Sequence, residues 1–290
     1  MTSAGPAGTV LVGVDDTSHT WLAAEWAATE AELRGAPLRI LHAVGPDTGA
    51  GADEPGAAET VERIAAAGTG VLDDARDRIA AAHPRLRVDT VLARDDPAEA
   101  LLTAAEDTGL VVVGTRGRGG FAGLLLGSVS LKVAAHADRP VVVARGHTER
   151  AAEGHVVVGV RDERDEAAVR FALAEAGRRR TAVRLVHAWA PVVRAGVMVP
   201  QASRLDEEQR LHARLLNEAA RPVAEYPQVH ADTELVVGPA AAALVDASAR
   251  AGLVVLPRHP PAGRFGLRLG SVVHAVLHHA DCPVAVVPTE

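Results

Sequence analysis

A glycine-rich segment that follows a short apolar run could hold a phosphate group. The run Val111-Val112-Val113 leads into Gly114-Thr115-Arg116-Gly117-Arg118-Gly119-Gly120, and Gly127-Ser128 follows at the predicted start of a helix. Glycines let the backbone approach a ligand and turn its amides toward an anion, and a helix N-terminus adds free N–H groups. Arg116 and Arg118 bring positive charge. These residues predict a phosphate-binding loop, although a glycine-rich surface loop with solvated arginines has a similar composition.

Two carboxylates follow the first apolar run of the chain. Asp15 and Asp16 stand between Val10–Val14 and a predicted helix. A carboxylate at this point can accept a hydrogen bond from a ribose hydroxyl or hold a cation, and Thr17 or Ser18 can cap the helix. Acidic residues also favour a helix N-terminus in their own right. The segment alone is consistent with both interpretations.

Two other phosphate-binding patterns fit this sequence poorly. A P-loop needs Gly-Lys-Ser/Thr, whereas Lys132 is the only lysine and lies inside the last predicted helix of the first half. The segment Gly117–Ala122 has the spacing of a dinucleotide fingerprint, but that fingerprint opens its helix directly, and here the helix begins at Gly127-Ser128. A P-loop NTPase and a nicotinamide or flavin dehydrogenase are therefore disfavoured. No nucleophile elbow or zinc-protease helix is present either.

The elements that must position these residues alternate between strands and helices. Most of the short runs are apolar throughout, as in parallel strands buried on both faces, and Ala-rich amphipathic segments separate them. The predicted strands of the first half are Thr9–Val14, Leu38–Val44, Leu86–Leu92, Leu110–Gly114 and Pro140–Ala144, and the predicted helices are His19–Arg34, Ala57–Ala82, Pro97–Thr108 and Ser128–Ala135. This order predicts an α/β fold with a doubly wound parallel sheet, in which ligands bind beyond the carboxyl ends of the strands.

The chain repeats itself after about 145 residues. Val10-Leu11-Val12-Gly13-Val14 recurs as Val156-Val157-Val158-Gly159-Val160, and Gly127-Ser128-Val129 recurs as Gly270-Ser271-Val272. The sequence therefore predicts a tandem duplication, with domains at 1–146 and 154–290 and a short linker between them.

Composition narrows the classes of partner. Aromatic residues make up 2% of the 290 residues and the formal net charge is −7, which disfavours base-stacking platforms and polyanion binding, so no nucleic acid is expected. No stretch approaches the roughly 20 apolar residues of a membrane span. The single cysteine, Cys282, fits a reducing compartment, and we expect a cytoplasmic protein.

The glycine spacing resembles a known nucleotide-binding signature. The spacing is similar to the ATP-binding motif of the universal stress protein family: Gly114, two residues, Gly117, nine residues and then Gly127-Ser128. Other segments also match the pattern of that family, namely Val12-Gly13-Val14-Asp15, His42 and Arg139–Val143. The resemblance covers both halves. It implies two tandem Rossmann-like domains with strand order 3-2-1-4-5, related by a pseudo-two-fold axis through their last strands, and an intramolecular pseudo-dimer that could pair further as a homodimer.

The resemblance also implies a ligand and a role. ATP, with magnesium, would lie between the carboxyl ends of the first and fourth strands of the first half. Gly13 and Asp15 would contact the adenosine, Ala43 would offer its backbone to the adenine, and the loop with the following helix start would hold the phosphates. The residues predicted to bind ATP are Gly13, Asp15, Ala43, Val113, Gly114, Thr115, Arg116, Gly117, Arg118, Gly119, Gly120, Gly127, Ser128 and Val129. The predicted role is a bacterial stress-response protein with an unidentified regulatory partner and no catalytic residues; the alternative is a slow ATPase or a nucleotide-transferring enzyme of a related α/β fold.

The second half departs from this pattern. Arg161 stands where the first half has Asp15, and Pro257 and Pro260 replace Gly114 and Gly117, whereas Gly270-Ser271 is retained. Proline removes an amide donor and fixes φ near −65°. We therefore expect the second half to keep the fold with weak or no ATP affinity. The alternative is that its arginines, Arg161, Arg258 and Arg264, bind a different anion.

Histidines and the cysteine have simpler interpretations. His274 and His278 are one helical turn apart, as in metal sites, with His279 beside them, but the sequence supplies no convincing remaining ligands and no metal is expected. His42 and His187 occupy the same position of the repeat inside apolar strands, and Cys282 heads the last strand. We expect these three to be structural, and the charged segment Asp206–Glu225 to be a solvated helix face.

Overall fold

The computed structural model describes residues 8–45, 57–115, 126–146, 154–191, 202–260 and 269–289. The chain divides into two compact units, Met1–Arg145 and Gly146–Glu290. They are called the first and the second unit below.

The first unit is a parallel sheet with strand order β3-β2-β1-β4-β5. Neighbouring strands pair in parallel at each step. Its elements, in chain order, are β1 Val10–Gly13, α1 Ser18–Arg34, β2 Leu38–Ala43, α2 Ala57–Ala82, β3 Val88–Ala93, α3 Pro97–Ala105, β4 Leu110–Gly114, α4 Ser128–His136 and β5 Val141–Ala144.

The second unit has the same topology, with strand order β8-β7-β6-β9-β10 and parallel pairing throughout. Its elements are β6 His155–Gly159, α5 Glu166–Arg179, β7 Val183–Trp189, α6 Ala202–Ala219, β8 Ala231–Val237, α7 Ala240–Ser248, β9 Ala251–Arg258, α8 Ser271–His279 and β10 Val284–Pro288, with short 3-10 turns at Glu163–Asp165 and Arg221–Glu225.

Valine, leucine and alanine fill both cores. The central strands are buried on both faces; in β1, Val10, Leu11 and Val12 have no exposed surface, and the same holds for Val156, Val157 and Val158 in β6. This burial explains why these strands are apolar at every position instead of at alternate ones. The doubly wound α/β fold and the order 3-2-1-4-5 predicted from the sequence are therefore confirmed in each unit.

A charged pair inside the helix layer is repeated as well. Glu30 of α1 is 1% exposed and forms an ion pair with Arg34, one turn further along. Glu175 of α5 is fully buried and is paired with Arg179 in the same way and with Arg178 at 2.6 Å. Buried carboxylates need such partners, because an unpaired charge in a core is strongly destabilising.

Helix ends follow local chemistry. Asp96 accepts hydrogen bonds from the amides of Ala98 and Glu99 at the start of α3, where Pro97 takes the first helical position. The helix α1 ends at Gly35, whose φ of 61° is in the left-handed region that glycine adopts without strain. The helix α5 ends at Arg180, whose φ of 54° lies in the left-handed region that residues other than glycine adopt uncommonly.

Candidate functional site

Three strand ends meet at one edge of the first unit. Val12 of β1 lies opposite Ile40 of β2 and Val112 of β4 in the parallel register. The residues one to three positions further along each strand therefore reach the same edge, because parallel strands all point the same way. Gly13, Ala43 and Val113, which the sequence predicts to line a nucleotide pocket, lie there at the strand ends.

Asp15 is held at this edge by a set of hydrogen bonds. Its Oδ1 accepts from the amide of Thr17 at 2.9 Å, from Thr17 Oγ1 at 2.6 Å and from Thr20 Oγ1. The amide of Asp15 donates to Thr20 Oγ1 at 3.3 Å. Thr17 occupies the N-cap position of α1 but makes no side-chain cap hydrogen bond, since its hydroxyl is directed to Asp15. The carboxylate thus has a fixed orientation at the start of α1.

The start of α4 is tied to the end of β4. The amide of Gly127, the N-cap residue, donates to Thr115 O at 2.7 Å, and Ser130 Oγ donates to Gly114 O at 2.6 Å. Ser130 is 6% exposed, and this second bond is partly buried. These contacts place the first amides of α4 beside the strand end. Ser130 was not among the residues predicted from the sequence, where a serine two positions after Ser128 gave no signal of its own.

The remaining predicted residues divide into two groups. Ser128 is exposed and Val129 is half-buried in the first turn of α4, where amides lack intrahelical partners. The predicted loop residues Arg116, Gly117, Arg118, Gly119 and Gly120 lie outside the described residues. The structure therefore shows the two sides of the predicted phosphate loop, Thr115 and Gly127, and brings them into contact.

Close packing favours a glycine at the end of β1. A Cβ atom at Gly13 would lie 2.9 Å from Leu101 Cδ1 of α3. The second unit has the same arrangement, in which a Cβ atom at Gly159 would lie 2.9 Å from Leu244 Cδ1 of α7. The glycine of the repeated Val-Gly-Val motif thus lets a helix pack closely against the end of the strand.

The histidines of the second strand in each unit have a structural role, as predicted. His42 Nδ1 donates to Val14 O at 2.8 Å, and His187 Nδ1 donates to Val160 O at 3.0 Å. Both residues are 3% exposed. Each histidine holds the segment that leads from the first strand of its unit into the site. In the second unit His187 Nε2 also contacts His212 Nδ1 of α6 at 2.9 Å, and burial lowers the pKa of His187.

A cavity of about 420 Å³ occupies the corresponding edge of the second unit. We call it the second-unit cavity. It lies at the ends of β6, β7 and β9 and the start of α8, and its lining includes Gly159, Val160, Arg161, Asp165, Val186, His187, Ala188, Ala240, Leu244, Leu256, Pro257, His259, Pro260, Gly270, Ser271, Val272 and Val273. Its volume is in the range of small-molecule pockets.

The turn after β6 is rebuilt around a buried carboxylate. The amides of Arg161 and Asp162 donate to Asp165 Oδ2 at 2.5 and 3.4 Å, so Asp165 takes the place that Thr20 has in the first unit. Asp162 is paired with Arg164 and Arg161, and the hydrogen bonds from Arg164 hold the pKa of Asp162 well below its usual range. Arg161 thus stands where the first unit has Asp15, and the carboxylates of this turn are those of Asp162 and Asp165.

Asp165 is paired with a histidine that directly follows β9. His259 Nε2 lies 3.0 Å from Asp165 Oδ1, and His259 Nδ1 lies 3.1 Å from Thr289 Oγ1. Asp165 has no exposed surface. Burial raises the pKa of Asp165 and lowers that of His259, because both charged forms lose hydration.

Other predictions from the sequence can be compared with the structure. Cys282 is buried, and the charged residues Asp206, Glu207 and Arg210 of α6 are exposed. The rings of His274 and His278 lie 4.5 Å apart, but no group of three potential metal ligands occurs among the described residues. Across the same part of the chain, no helix has the length and apolar character that a membrane crossing needs.

Comparisons with known proteins agree with this architecture. The model of the universal stress protein family matches residues 7–145 and again residues 154–288. The chain is 34% identical over 298 residues to Universal stress protein Rv2623 of Mycobacterium tuberculosis, covering 99% of this chain and 98% of that protein. It is 33% identical over 293 residues to Universal stress protein Rv2005c of the same organism, covering 96% of each.

A solved structure shows the same fold. The crystal structure of a universal stress protein from Archaeoglobus fulgidus has a TM-score of 0.72 over 97% of this chain and 98% of that chain, at 16% identity. Taken with the double match of the family model, these findings show that the chain belongs to the universal stress protein family, with two tandem domains of that family.

Proposed function

We propose that the protein is an ATP-binding regulatory protein of the stress response and that its first unit holds the nucleotide. The observation that carries this proposal is that the end of β4 is hydrogen-bonded to the start of α4 at the sheet edge where Asp15 lies. Through the Gly127–Thr115 and Ser130–Gly114 hydrogen bonds, free amides of a helix N-terminus and a carboxylate are brought to one edge of the sheet. This pairing of donors and acceptor suits a ligand with phosphates at one end and hydroxyls at the other.

Each part of the edge has a role in the proposal. Asp15, oriented by Thr17 and Thr20, would accept from the ribose hydroxyls. Gly13 and Ala43 would border the adenosine, and Val113 and Gly114 would line the pocket beneath it. The amides and hydroxyl at Gly127, Ser128 and Val129 would hold phosphate oxygens.

The loop is assigned from the sequence alone. Thr115, Arg116, Gly117, Arg118, Gly119 and Gly120 would close over the phosphates, which a bound magnesium ion would help to neutralise. In this proposal residues 1–146 form the ATP-binding domain and residues 154–290 form a domain with weak or no ATP affinity. Pro257, which stands at the position of Gly114, lacks the amide that a phosphate would need.

The proposed role is to report nucleotide state to a regulatory partner and not to turn ATP over. The alternative is a slow ATPase or a nucleotide-transferring enzyme. Product analysis separates the two: a binding protein retains ATP in a fixed ratio, whereas an enzyme accumulates ADP or pyrophosphate at a rate that Asp15→Ala abolishes.

A matched pair of variants tests the assignment to the first unit. Asp15→Ala removes the proposed ribose acceptor, and Arg161→Ala changes the equivalent position of the second unit. Loss of a hydrogen bond to a charged group should weaken Mg-ATP binding about 10- to 100-fold in Asp15→Ala. Arg161→Ala should bind Mg-ATP like the unmodified protein. Isothermal titration calorimetry measures both, and thermal unfolding checks that each variant is folded.

The opposite pattern would overturn the assignment. If Arg161→Ala loses ATP binding while Asp15→Ala retains it, the nucleotide is held by the second unit.

A further inference from the structure

A hydrogen-bonded pair of histidines distinguishes the second unit from the first. His187 Nε2 of β7 lies 2.9 Å from His212 Nδ1 of α6. The ring of His212 is stacked on that of Trp189, with centroids 4.8 Å apart and an interplanar angle of 17°. The equivalent residues of the first unit, about 145 positions earlier in the repeat, are His42, Ala67 and Val44. The first unit therefore has the strand histidine without the two aromatic partners.

The contacts of the pair determine which nitrogens carry hydrogens. A carbonyl oxygen accepts and does not donate, so His187 Nδ1, which lies 3.0 Å from Val160 O, carries a hydrogen. In the neutral ring His187 Nε2 is then an acceptor, and the hydrogen between the two rings belongs to His212 Nδ1. Both neutral rings are therefore Nδ1–H tautomers, and His212 Nε2 is the nitrogen that can take a first added proton.

The hydrogen bond between the rings is compatible with one added proton and incompatible with two. After a first proton binds to His212 Nε2, His212 Nδ1 still donates to His187, now as a charge-assisted hydrogen bond. After a second proton binds to His187 Nε2, two N–H groups face each other across 2.9 Å and each ring carries a positive charge. The second proton therefore breaks the contact between β7 and α6 at this point.

Burial opposes the second proton as well. His187 is 3% exposed, whereas His212 is half-buried on the outer helix. Burial and the neighbouring His212 lower the pKa of His187, although Asp162 and Asp165 of the turn after β6 act in the opposite direction. The folded arrangement thus favours a neutral His187.

The other charged groups near β7 and α6 have their own partners or are exposed. On α6 itself, Glu208 lies one turn before His212, and on β6 the half-buried His155 lies near Arg184 and Glu234. On the remaining elements packed against β7 and α6, the ion pairs are Arg164–Asp162, Arg170–Glu166, Arg170–Glu225, Arg178–Glu175, Arg179–Glu175, Arg184–Glu234 and His230–Asp232, and the exposed groups are Glu163, Arg221 and Asp246.

We propose that the His187–His212 pair is an acid-sensitive latch, which holds α6 on β7 at neutral pH and releases it when both rings become charged. His187 also lines the second-unit cavity at the end of β7, so release of α6 removes support from one wall of that cavity. The latch lies in the second unit and works independently of the proposed ATP site.

Release of α6 should be coupled to proton uptake. Below the ordinary histidine pKa of about 6.5, both rings are charged once they are released, whereas the closed pair holds at most one added proton. Because the released form binds more protons, its population rises as the pH falls. The equilibrium constant for release should increase about tenfold per pH unit below about pH 6.5.

Hydrogen exchange followed by mass spectrometry on the full-length chain measures this release. After correction for the intrinsic pH dependence of exchange, the protection factors of the α6 amides should fall about tenfold between about pH 6.5 and pH 5.5. The helix α2, which carries Ala67 in place of His212, is the internal reference, and its protection should change less than about threefold.

Two variants separate the latch from a purely structural contact. His187→Gln keeps an amide donor for Val160 O and an oxygen acceptor for His212 but does not titrate, so α6 should stay protected at neutral pH and lose its pH dependence. His212→Leu removes the bond between the rings and should lower the protection of α6 at about pH 7.5 by about tenfold. The control Arg214→Leu, at an exposed position of the same helix, should leave it unchanged.

The tautomers can be observed directly in the unmodified protein. Long-range ¹H–¹⁵N NMR spectra with labelled histidine should show the Nδ1–H form for both rings at about pH 8, and His187 should stay neutral after His212 becomes charged. Three results would overturn the inference: an Nε2–H tautomer at His187, equal protection of α6 at about pH 7.5 and pH 5.5, or a loss of protection with falling pH that is as large in α2 as in α6.

Discussion

Ser130 links the helix α4 to the strand end that borders the proposed ATP site, and Ser130→Ala should weaken both the fold and the binding of ATP. The hydroxyl donates to Gly114 O at 2.6 Å in a region where Ser130 is 6% exposed. Removing it deletes one partly buried hydrogen bond and leaves the carbonyl without this donor. Such a change costs about 1–2 kcal/mol. In a unit of this size, the unfolding transition should fall by about 3–6 °C.

The effect on ATP binding follows from the position of the bond. Without it, the hydrogen bond from the Gly127 amide to Thr115 O still joins the strand end to the start of α4, but one of the two described bonds between them is lost. We expect a loss of about 1 kcal/mol in binding, roughly a fivefold increase in Kd. Calorimetric titration with Mg-ATP measures the affinity, and thermal unfolding in the absence of ATP measures the stability.

The second unit offers a matched control, because Val273 stands at the position of Ser130 in the repeat. Val273→Ala should leave the Mg-ATP affinity unchanged. If Ser130→Ala lowers the unfolding temperature and keeps the original Kd, the bond supports the fold alone. The argument that it positions the nucleotide would then be wrong.

Two further predictions concern charged groups. Because Arg164 holds the pKa of Asp162 low, the ionised carboxylate stabilises the folded state above the unfolded pKa of about 4, and this contribution is lost as the pH falls through the folded value. Asp162→Asn should therefore lower the free energy of unfolding by about 1 kcal/mol at neutral pH. In urea unfolding, the difference in stability between the variant and the unmodified protein should shrink between about pH 5 and pH 2, and a constant difference would contradict this. Arg179→Met removes one arginine partner of the buried Glu175 and should destabilise the protein by about 3 kcal/mol, whereas the double variant Glu175→Met/Arg179→Met should recover most of the loss. Equal stability of the two variants in urea would argue against this pairing.

Most of the fold could be predicted from the sequence, because buried parallel strands are apolar at every position. The exception is the edge strand β3, predicted at Leu86–Leu92 and observed at Val88–Ala93. Leu86 belongs to a turn, in which its amide donates to His83 O at 3.0 Å. No residue of β3 is buried, so the apolar pattern of this strand is weak. The predicted end of α3 at Thr108 was also too late, since the helix ends at Ala105 and turns follow.

The site was predictable only in part. Glycines and Asp15 follow strands directly, and the topology of the sheet brings strand ends together. Contacts between distant segments have no such signature. The bond of Ser130 to Gly114 and the pairing of Asp165 with His259 depend on the exact placement of a helix against a strand end. For the same reason the prolines at 257 and 260 indicated an altered site but gave no sign of the cavity that accompanies them.

The most direct test of the proposed function is the stoichiometry of Mg-ATP binding to the purified full-length chain by calorimetry. The account predicts one ATP per chain, held by the first unit. A stoichiometry of two would show that the second unit binds ATP despite Pro257 and Pro260, and the absence of binding would contradict the proposed function.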